Sequence, residues 1–506
     1  MHGVIAAGHP TTAEAGAEVL RQGGNAVDAA VAAVLASFAA ESPLTGFGAG
    51  GFMMVHDAAS ADGAASALID FFVSAPGLDG IERGAELVAV PVHFDAETVQ
   101  TFYVGPASCG VPGTAAGLEL ALGRFGSAPL ADLTRAGIRL AREGAPVNPE
   151  QAYIFEILAP IQERQEEMRE LYAPGGRRLG DGDLFRFPEL AEALERFAAE
   201  GAEPFYRGEV AAALSDHVVE RGGALGRADL AAYEAIERKP IRAPFRGAEV
   251  LTNPPPSSGG ILIAFCLGLL ERMGEHSGPE QLVAAMGAAN DARGEEFAEA
   301  LYGEALEASF LDPAGLDLAA GDLLGSTTHI SVLDENGMCA SVTCSNGSGS
   351  GVLVPGTGVI LNNMLGEEDL NPLGFHAIAP GRRVPSMMAP TVVLRDGEIE
   401  LGLGSAGSNR IRSAILQTIV RAVEQGMAAG DAVRAPRLHF EAGVVQAEPG
   451  IDGEALARIE ARGLPVLRRP EINLFFGGVQ AVARDRAGGA LSGGGDPRRG
   501  GSVAVA

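Results

Sequence analysis

The chain has 506 residues, of which 47% are hydrophobic, and its formal net charge is −28 at pH 7. This length and composition can build a large core in one or two domains. The negative charge argues against binding to nucleic acid or to an anionic membrane. The absence of any apolar run of about 18 residues argues against a transmembrane helix. The first residues lack the basic and apolar regions of a signal peptide, so we expect a cytoplasmic protein.

The N-terminal part of the chain predicts helices separated by glycine turns. Residues 11–40 predict two helices, because Gln22-Gly23-Gly24-Asn25 stops the first one before the second begins. Residues 46–55 predict a glycine loop that runs into a strand. This loop has neither the lysine nor the following helix of a phosphate-binding loop, so we interpret it as a tight structural turn. Residues 67–75 predict a further strand.

The middle of the chain is predominantly helical by prediction. A turn at residues 110–114 precedes a helix over 115–125, and residues 148–221 look helical with charged, solvated faces. A strand over 250–253 is followed by Pro-Pro-Pro-Ser-Ser-Gly-Gly at 254–260, a rigid turn that leads into a helix over 261–272. Residues 311–325 are acidic, contain glycine and lack strong periodicity, so we expect a flexible tail there.

The stretch from 325 to 351 combines a hydroxyl pair with a glycine-rich loop. Thr327-Thr328-His329 opens an alternating strand over 330–334, which a turn at 335–337 joins to a second strand over 339–343. Scission before Thr327 would leave a threonine with a free α-amine, whose ordinary pKa of about 7.7–8 suits a base. Nucleophile and base would then belong to one residue. The alternative interpretation is that β-branched residues start this strand for packing alone.

The C-terminal part predicts a hairpin, a glycine loop and closing strands. Residues 391–394 and 398–403 form the hairpin around Arg395-Asp396-Gly397. The glycine loop at 404–410 starts a helix over 411–424. Residues 479–481 and 489–491 predict edge strands. Helices and strands in this order suggest a mixed α/β (α+β) protein with antiparallel sheets between helices.

Several of these motifs resemble the γ-glutamyltranspeptidase family. Thr-Thr-His-x-Ser-Val-x-Asp at 327–334, the loop after it and Leu361-Asn362-Asn363 resemble the start of that family's small subunit. Gln-Gly-Gly-Asn-Ala-Val-Asp-Ala-Ala, Gly-Phe-Gly-Ala-Gly-Gly-Phe-Met and Pro-Pro-Pro-Ser-Ser-Gly-Gly also resemble family motifs in the right order, so the resemblance runs from about Gly3 to Arg498. It implies the four-layer αββα fold of N-terminal-nucleophile hydrolases, with antiparallel sheets between helical layers.

The resemblance also implies catalytic roles for particular residues. Thr327 corresponds to the nucleophile that autocleavage produces, so residues 1–326 would form a large subunit and 327–506 a small catalytic subunit of one heterodimeric unit. Ser345 stands where the family has a threonine that hydrogen-bonds the nucleophile. Gly407 and Ser408 stand where two glycine amides hold the oxyanion, a function that needs no side chain; an ordinary helix N-cap loop is the alternative. Arg410 matches a family arginine without a role that we can assign, and we expect His329 to pack rather than to catalyse.

The side of the pocket that binds a glutamyl carboxylate departs from the family. The family arginine after an Asp-Phe pair is replaced by Phe72, and the family's serine pair becomes Ser386-Met387. A hydrogen bond to a charged group contributes about 1.5–3 kcal/mol, so two lost contacts would weaken glutamate binding by roughly several hundredfold. Arg383 is a candidate for rebuilding the missing anchor.

The side that binds the α-amine is also altered. Asn346 is the nearest candidate for the family asparagine in a shortened loop, Met364 replaces a glutamine, and Glu367 stands where the family has an aspartate. With Phe72 and Met387, the changes predict a more apolar pocket.

Three hypotheses follow for the function. The first is a self-processing γ-glutamyltransferase-like hydrolase or acyltransferase that passes an acyl group from a small amide, such as a glutathione-like substrate, to water or an amine. The second is an acylase of the same family with a non-glutamyl donor. The third, a non-catalytic binding module, predicts loss of the nucleophile or the oxyanion loop, and both are present. The four cysteines lack metal-ligand spacing, and we predict no metal or organic cofactor.

Overall fold

The computed structural model describes residues 2–59, 65–83, 85–93, 99–303, 306–311, 327–486 and 488–506. Apart from Leu311, the flexible tail predicted over 311–325 lies outside the described residues. The α-helices described are α1 Pro10–Arg21, α2 Ala26–Ala40, α3 Thr114–Phe125, α4 Leu130–Leu133, α5 Arg135–Glu143, α6 Pro149–Gln162, α7 Glu166–Tyr172, α8 Pro188–Glu200, α9 Glu203–Tyr206, α10 Glu209–Val219, α11 Arg227–Ala231, α12 Ser258–Arg272, α13 Pro279–Asp291, α14 Glu295–Ala300, α15 Leu306–Phe310, α16 Arg410–Ile419, α17 Ala429–Arg434 and α18 Gly453–Ala461. Short 3-10 turns span Pro106–Ser108, Pro174–Gly176, Met364–Gly366, Glu368–Leu370, Leu474–Phe476 and Pro497–Arg499.

The strands described are β1 Gly3–Ala7, β2 Gly50–Asp57, β3 Ala65–Phe71, β4 Val88–His93, β5 Val99–Val104, β6 Ala145–Pro146, β7 Leu184–Phe185, β8 Ile236–Arg238, β9 Ile241–Phe245, β10 Ala248–Thr252, β11 Thr328–Asp334, β12 Met338–Ser345, β13 Leu353–Val354, β14 Val359–Ile360, β15 Thr391–Arg395, β16 Glu398–Ala406, β17 Leu438–Glu441, β18 Val444–Ala447, β19 Val466–Arg468, β20 Gly478–Arg484, β21 Leu491–Gly494 and β22 Ser502–Val505. Among the described residues, two large sheets are antiparallel throughout. One has the order β22-β1-β11-β12-β2-β3-β8 and the other β21-β20-β16-β15-β10-β9.

The two sheets pack face to face between helical layers, which confirms the predicted αββα architecture. Strand alternation on β11 shows the layering, because Ile330 and Val332 join the core beneath helices α1 and α2 while Leu333 joins the core between the sheets. Helices α12, α16 and α17 cover the outer face of the second sheet, and α13 packs on α12. Each helical layer thus buries one face of a sheet, and the facing surfaces of the sheets bury each other.

Local chemistry explains the elements that the sequence predicted well. The helix α2 begins at a capping box, in which the Asn25 side chain accepts from the Val27 and Asp28 amides and the Asp28 carboxylate accepts from the Asn25 amide. The glycine loop before β2 packs closely against the backbone of β14, because a Cβ on Gly48 would lie only 2.0 Å from the Ile360 carbonyl oxygen. The interpretation of this loop as structural is therefore supported.

Some predicted strand boundaries were wrong. The strand predicted over 67–75 is β3 and ends at Phe71, because the Asp70 carboxylate accepts the Phe72 amide, which would otherwise continue the ladder. Residues 479–481 belong to β20, which is not an edge strand but lies between β16 and β21. The helix predicted over 411–424 is α-helical only to Ile419 and continues as a π-helical turn over Val420–Glu424.

His329 packs between the sheets, as predicted. Its imidazole nitrogens lie 2.8 Å from the Thr343 hydroxyl and 2.9 Å from the Ser331 hydroxyl. A Cβ on Gly404 of β16 would lie 2.2 Å from His329 Cε1, so only glycine fits opposite the ring. Burial lowers the pKa of His329 to about 3, and the ring is therefore neutral near pH 7. No helix among the described residues is long and apolar enough to cross a membrane.

Candidate active site

Thr327 lies directly before β11, at the end of the central pair of strands in the first sheet. His329 and Ser331 face the second sheet, so alternation places Thr327 on the same inner face. Thr328 faces the opposite way, toward helix α2. Thr327 is 5% exposed. The predicted nucleophile is therefore held in the space between the two sheets.

The hydroxyl of Thr327 has a hydroxyl partner on the neighbouring strand. Thr327 Oγ1 lies 3.4 Å from Ser345 Oγ, at the end of β12. Ser345 Oγ also accepts from the Gly347 amide at 2.9 Å. The hairpin register, which pairs Thr328 with Cys344, brings these two side chains together. The contact fits the orienting role that we predicted for Ser345.

Most of the predicted site residues line one cavity. The cavity has a volume of about 30 Å³, enough for one or two waters. Its lining unites Thr327 with the predicted Phe72, Ser345, Met364, Glu367, Ser386, Met387 and Ser408, and adds Gly347, Asp369, Leu370, Met388 and Ile411. These residues come from separate parts of the chain, so the sequence motifs converge in space as expected.

The glycine loop before α16 reaches this cavity through Ser408, whereas the predicted Gly407 is not among the described residues that line it. Gly407 and Ser408 have φ angles of 118° and 53°, so two consecutive residues adopt left-handed backbone conformations. The amides of Arg410 and Ile411 then bond the Gly407 and Ser408 carbonyls as the helix begins. The N-terminus of a helix is favourable for negative charge. The loop is therefore suited to stabilise an oxyanion, and it is a helix start as well.

Arg410 anchors the loop from behind. Its Nε donates to the Phe475 carbonyl at 3.0 Å, and its guanidinium lies 5.0 Å from the Phe475 ring centroid. Arg410 is not among the described side chains that line the cavity. These contacts connect the start of α16 to the 3-10 turn Leu474–Phe476.

The opposite wall is held by the turn between β10 and α12. The Ser258 and Gly259 amides donate to the Ser386 carbonyl at 2.8 and 3.1 Å. A Cβ on Gly259 would lie 2.1 Å from the Met387 carbonyl oxygen, so glycine is required there. The Pro-Pro-Pro-Ser-Ser-Gly-Gly turn thus positions Ser386 and Met387 at the cavity.

Phe72, which stands where the resemblance implies an arginine, is part of the apolar lining of the cavity. Its ring is buried and stacks on Phe52 with the ring centroids 5.4 Å apart. Arg383 does not replace the missing cation, because its Nε lies 3.2 Å from Asp70 Oδ1 and its guanidinium stacks on Tyr233 at 4.5 Å. A further hydrogen bond joins Arg383 to the Glu234 carbonyl. Among the described residues that line the cavity there is no arginine or lysine.

Two carboxyl groups line the cavity instead, of which Glu367 is buried and Asp369 is half-buried. Glu367 accepts from the Ser348 amide at 3.1 Å, and Asp369 accepts from the Ser408 hydroxyl at 2.7 Å. Burial, and then the charge of Asp369, raise the pKa of Glu367 above its ordinary value. Burial also raises the pKa of Asp369, while the Ser408 hydrogen bond and the Arg293 charge oppose this increase. Sequence reasoning selected Glu367 and missed Asp369, although both belong to the same acidic run of residues 367–369.

Asn346 is buried beside the cavity but is not among the described residues that line it. Its Nδ2 donates to the Pro43 carbonyl at 3.3 Å, and its backbone amide donates to the Leu44 carbonyl. These contacts join the loop after β12 to the segment after α2. The predicted contact between Asn346 and a substrate amine remains a prediction.

Thr328 connects the start of β11 to the helical layer. Its hydroxyl donates to Glu41 at the end of α2, and the Thr12 hydroxyl donates to the same carboxyl group at 2.8 Å. Burial raises the pKa of Glu41 to about 7, while these two hydrogen bonds and the Arg499 charge oppose the increase. Sequence reasoning did not find this group, because its partners are distant in the chain.

A family model, two relatives and a solved structure match this chain over nearly its full length. The Gamma-glutamyltranspeptidase family model matches residues 12–506. The "Acylase ACY 1 proenzyme" of Pseudomonas sp. (strain SE83) is 34% identical over 95% of this chain and 89% of its own length. The "Glutathione hydrolase proenzyme" of Bacillus subtilis (strain 168) is 30% identical over 99% of this chain and 91% of its own length. The crystal structure of a cephalosporin acylase from Bacillus halodurans has a TM-score of 0.83 at 25% identity, covering 100% of this chain and 96% of that one.

Proposed function

This chain belongs to the γ-glutamyltranspeptidase family and is an acyl-transferring amide hydrolase. On this basis we propose that Thr327 is its nucleophile. The observation that carries the proposal is the convergence of the Thr327 and Ser345 hydroxyls and the oxyanion-type loop at Ser408 on one cavity. A nucleophilic hydroxyl, a hydroxyl beside it and a loop for the oxyanion are parts of a covalent acyl-transfer site, and the α-amine that scission releases would supply the base.

The first reaction that we propose is scission of the chain before Thr327. The Thr327 oxygen attacks the carbonyl carbon of Ser326, the C–N bond breaks, and the nitrogen leaves as an amine that takes the hydroxyl proton. Water then hydrolyses the ester, which leaves a carboxylate on Ser326 and restores the Thr327 hydroxyl. The products are residues 1–326 and 327–506. We expect them to stay together, because β11 and β12 pair with β1 and β2 of the other fragment.

The second reaction is turnover of a small amide. The new α-amine of Thr327 accepts the proton of its own hydroxyl, and the oxygen attacks the substrate carbonyl. The Gly407 and Ser408 amides stabilise the resulting oxyanion. The C–N bond of the substrate breaks, the leaving amine takes the proton, and an ester joins the acyl group to Thr327. Water or an acceptor amine then attacks this ester and regenerates the enzyme.

Two classes of acyl donor are candidates: amides of a γ-glutamyl group and amides of a non-glutamyl acyl group. Relatives with both kinds of name are similar to this chain, a glutathione hydrolase and an acylase. Two observations support a non-glutamyl donor as the second candidate. Phe72 lines the cavity where the resemblance implies a carboxylate-binding arginine, and Arg383 is engaged by Asp70 and Tyr233. An α-carboxylate would therefore enter a cavity whose described lining holds apolar side chains, four hydroxyl groups and the carboxyl groups of Glu367 and Asp369, without an arginine or a lysine.

A panel of anilides tests both donors. Processed protein is incubated with a γ-glutamyl anilide and with apolar acyl anilides, and kcat/KM is compared for each compound. Thr327→Ala serves as the inactive control, and Thr327→Ser as the variant that keeps a hydroxyl. Turnover of the glutamyl compound would identify a γ-glutamyl enzyme. Turnover of the other acyl compounds alone would identify an acylase. Turnover that persists in Thr327→Ala would disprove the proposed nucleophile.

A further inference from the structure

Ser408 adopts a backbone conformation that a residue with a Cβ rarely takes. Its φ angle is 53°, and it directly follows Gly407, whose φ is 118°. Glycine adopts positive φ readily, whereas other residues do so with steric strain. Ser408 also lines the cavity beside Thr327. A contact of its side chain can compensate for part of the strain at this position.

The Asp369 carboxylate makes such a contact. Ser408 Oγ donates to Asp369 Oδ2 at 2.7 Å. A hydrogen bond from a hydroxyl to a carboxylate is among the stronger hydrogen bonds in proteins. Asp369 lies on the 3-10 turn Glu368–Leu370, whose backbone is fixed by the Leu370 amide bonding the Glu367 carbonyl. The bond thus connects the oxyanion-type loop to an ordered turn on the other side of the cavity.

The charges around Asp369 balance each other in part. Arg293 and Arg410 are near enough to favour the ionised carboxylate, whereas Glu441 and Glu367 oppose it. Asp369 therefore has cationic neighbours outside the cavity, although burial still raises its pKa. Its Oδ2 already accepts the Ser408 hydroxyl, which gives the carboxyl group a contact inside the protein.

We propose that Asp369 is a positioning residue, which holds Ser408 in the left-handed conformation and thereby keeps the Gly407–Ser408 amides directed at the acyl carbonyl. The inference rests on the proposed function, because it assumes that these amides stabilise the oxyanion. It names a residue that the sequence motifs do not reveal. It also explains how serine can occupy a position at which the backbone favours glycine.

The kinetic test removes the hydrogen bond between Asp369 and Ser408 by substituting either residue in the processed full chain. Asp369→Ala and Ser408→Ala each lower kcat by roughly 10- to 100-fold, with KM changed by less than about threefold, because a misdirected oxyanion donor acts on the transition state. Asp369→Asn lowers kcat less than Asp369→Ala does, because the asparagine amide oxygen still accepts from the Ser408 hydroxyl. The double variant Asp369→Ala/Ser408→Gly recovers most of the lost kcat, because glycine needs no side-chain bond at positive φ.

Two results would overturn the proposal. One is a double variant that stays as slow as Asp369→Ala. The other is an Asp369→Ala variant that loses affinity for cationic donors at unchanged kcat, which would assign Asp369 to substrate binding. If Asp369→Ala does not fold, Ser408→Ala tests the same bond from the other residue.

A structural measurement tests the proposal independently of turnover. Crystal structures of Asp369→Ala and of Ser408→Ala are expected to show residue 408 moved out of the positive φ region, and the double variant to retain φ near that of the wild type. An unchanged loop in both single variants would contradict the proposal. If the wild type turns over no amide, the proposed function fails, and this measurement still decides whether Asp369 holds the loop.

Discussion

The Thr328 hydroxyl donates a hydrogen bond to the Glu41 carboxyl group, so the residue after the proposed nucleophile is attached to the end of helix α2. The two residues would belong to different fragments after scission before Thr327. Glu41 is fully enclosed and is also bonded by Thr12. This contact fixes the position at which β11 begins, and the protonation of Glu41 therefore affects the stability of the fold.

We predict that Glu41 makes the protein less stable as the pH rises from about 5 to 8. Its pKa is raised to about 7 in the folded chain from an ordinary 4.5, so the folded state retains a proton that the unfolded state has released. The contribution of Glu41 to the free energy of unfolding is therefore fully present below pH 4.5. It is lost as the pH rises from there through 7, by about 3 kcal/mol in all. Glu41→Gln removes this dependence.

Thermal unfolding midpoints measure the effect. Glu41→Gln is compared with the parent in the Thr327→Ala background, where we expect the chain to stay intact. The midpoint of the glutamine variant is expected to rise relative to the parent between pH 5 and pH 8, because the other titrating groups are common to both. Midpoints that differ by the same amount at every pH would contradict the assignment.

We predict that Thr327→Ala abolishes both scission and amide turnover. The hydroxyl is the proposed nucleophile for both reactions, and loss of a nucleophile lowers kcat by at least about 10³-fold. A denaturing gel of the wild type should show two bands, and sequencing of the smaller one should begin at Thr327. Thr327→Ser keeps the hydroxyl and should still split. Two bands in the alanine variant would rule out Thr327 as the self-processing residue.

We predict that Ser345→Ala slows turnover modestly. The Thr327 and Ser345 hydroxyls lie 3.4 Å apart, and a neutral hydrogen bond contributes about 0.5–1.5 kcal/mol. The expected decrease in kcat is therefore roughly 2- to 10-fold. Ser345→Thr retains the hydroxyl and is the matched control. The orienting role would be rejected if the alanine and threonine variants were equally fast.

We predict that Arg383→Ala reduces stability without changing the choice of donor. Arg383 is buried against Asp70 and Tyr233, but Asp70 keeps Arg238 as a second partner at 2.7 Å. The loss should thus be about 1–3 kcal/mol, less than for a buried carboxylate left without a partner.

Arg382→Ala is the neighbouring control for this variant. Arg382 is exposed and lies over the Tyr302 ring, so we expect a smaller decrease in the unfolding midpoint. The ratio of kcat/KM for glutamyl and other acyl anilides should be the same in both variants within about threefold. A selective loss of glutamyl turnover in Arg383→Ala would show that this arginine contacts the donor carboxylate after all.

Much of the fold could be predicted from local patterns. Helices α1 and α2 and the β11–β12 hairpin follow from caps, turns and alternation, which depend on neighbours in the chain. The pairing of β1 with β11 and β22 was not predicted. Residues 479–481 were assigned to an edge strand although β20 is interior, because a strand's own sequence does not identify the strands on either side of it.

The site divides in the same way. The sequence alone was sufficient to predict Thr327 as the nucleophile, because the motif that resembles the family is local and scission would place nucleophile and base on this one residue. Only the tertiary structure showed that Arg383 is bound by Asp70 from a distant strand and is not free to bind a substrate. It also showed the hydrogen bond between Asp369 and Ser408, which are separated by 39 positions. Hydrogen bonds between residues far apart in sequence exist only once the sheets and turns have packed. Only the folded chain, therefore, determines which charges remain available to a substrate.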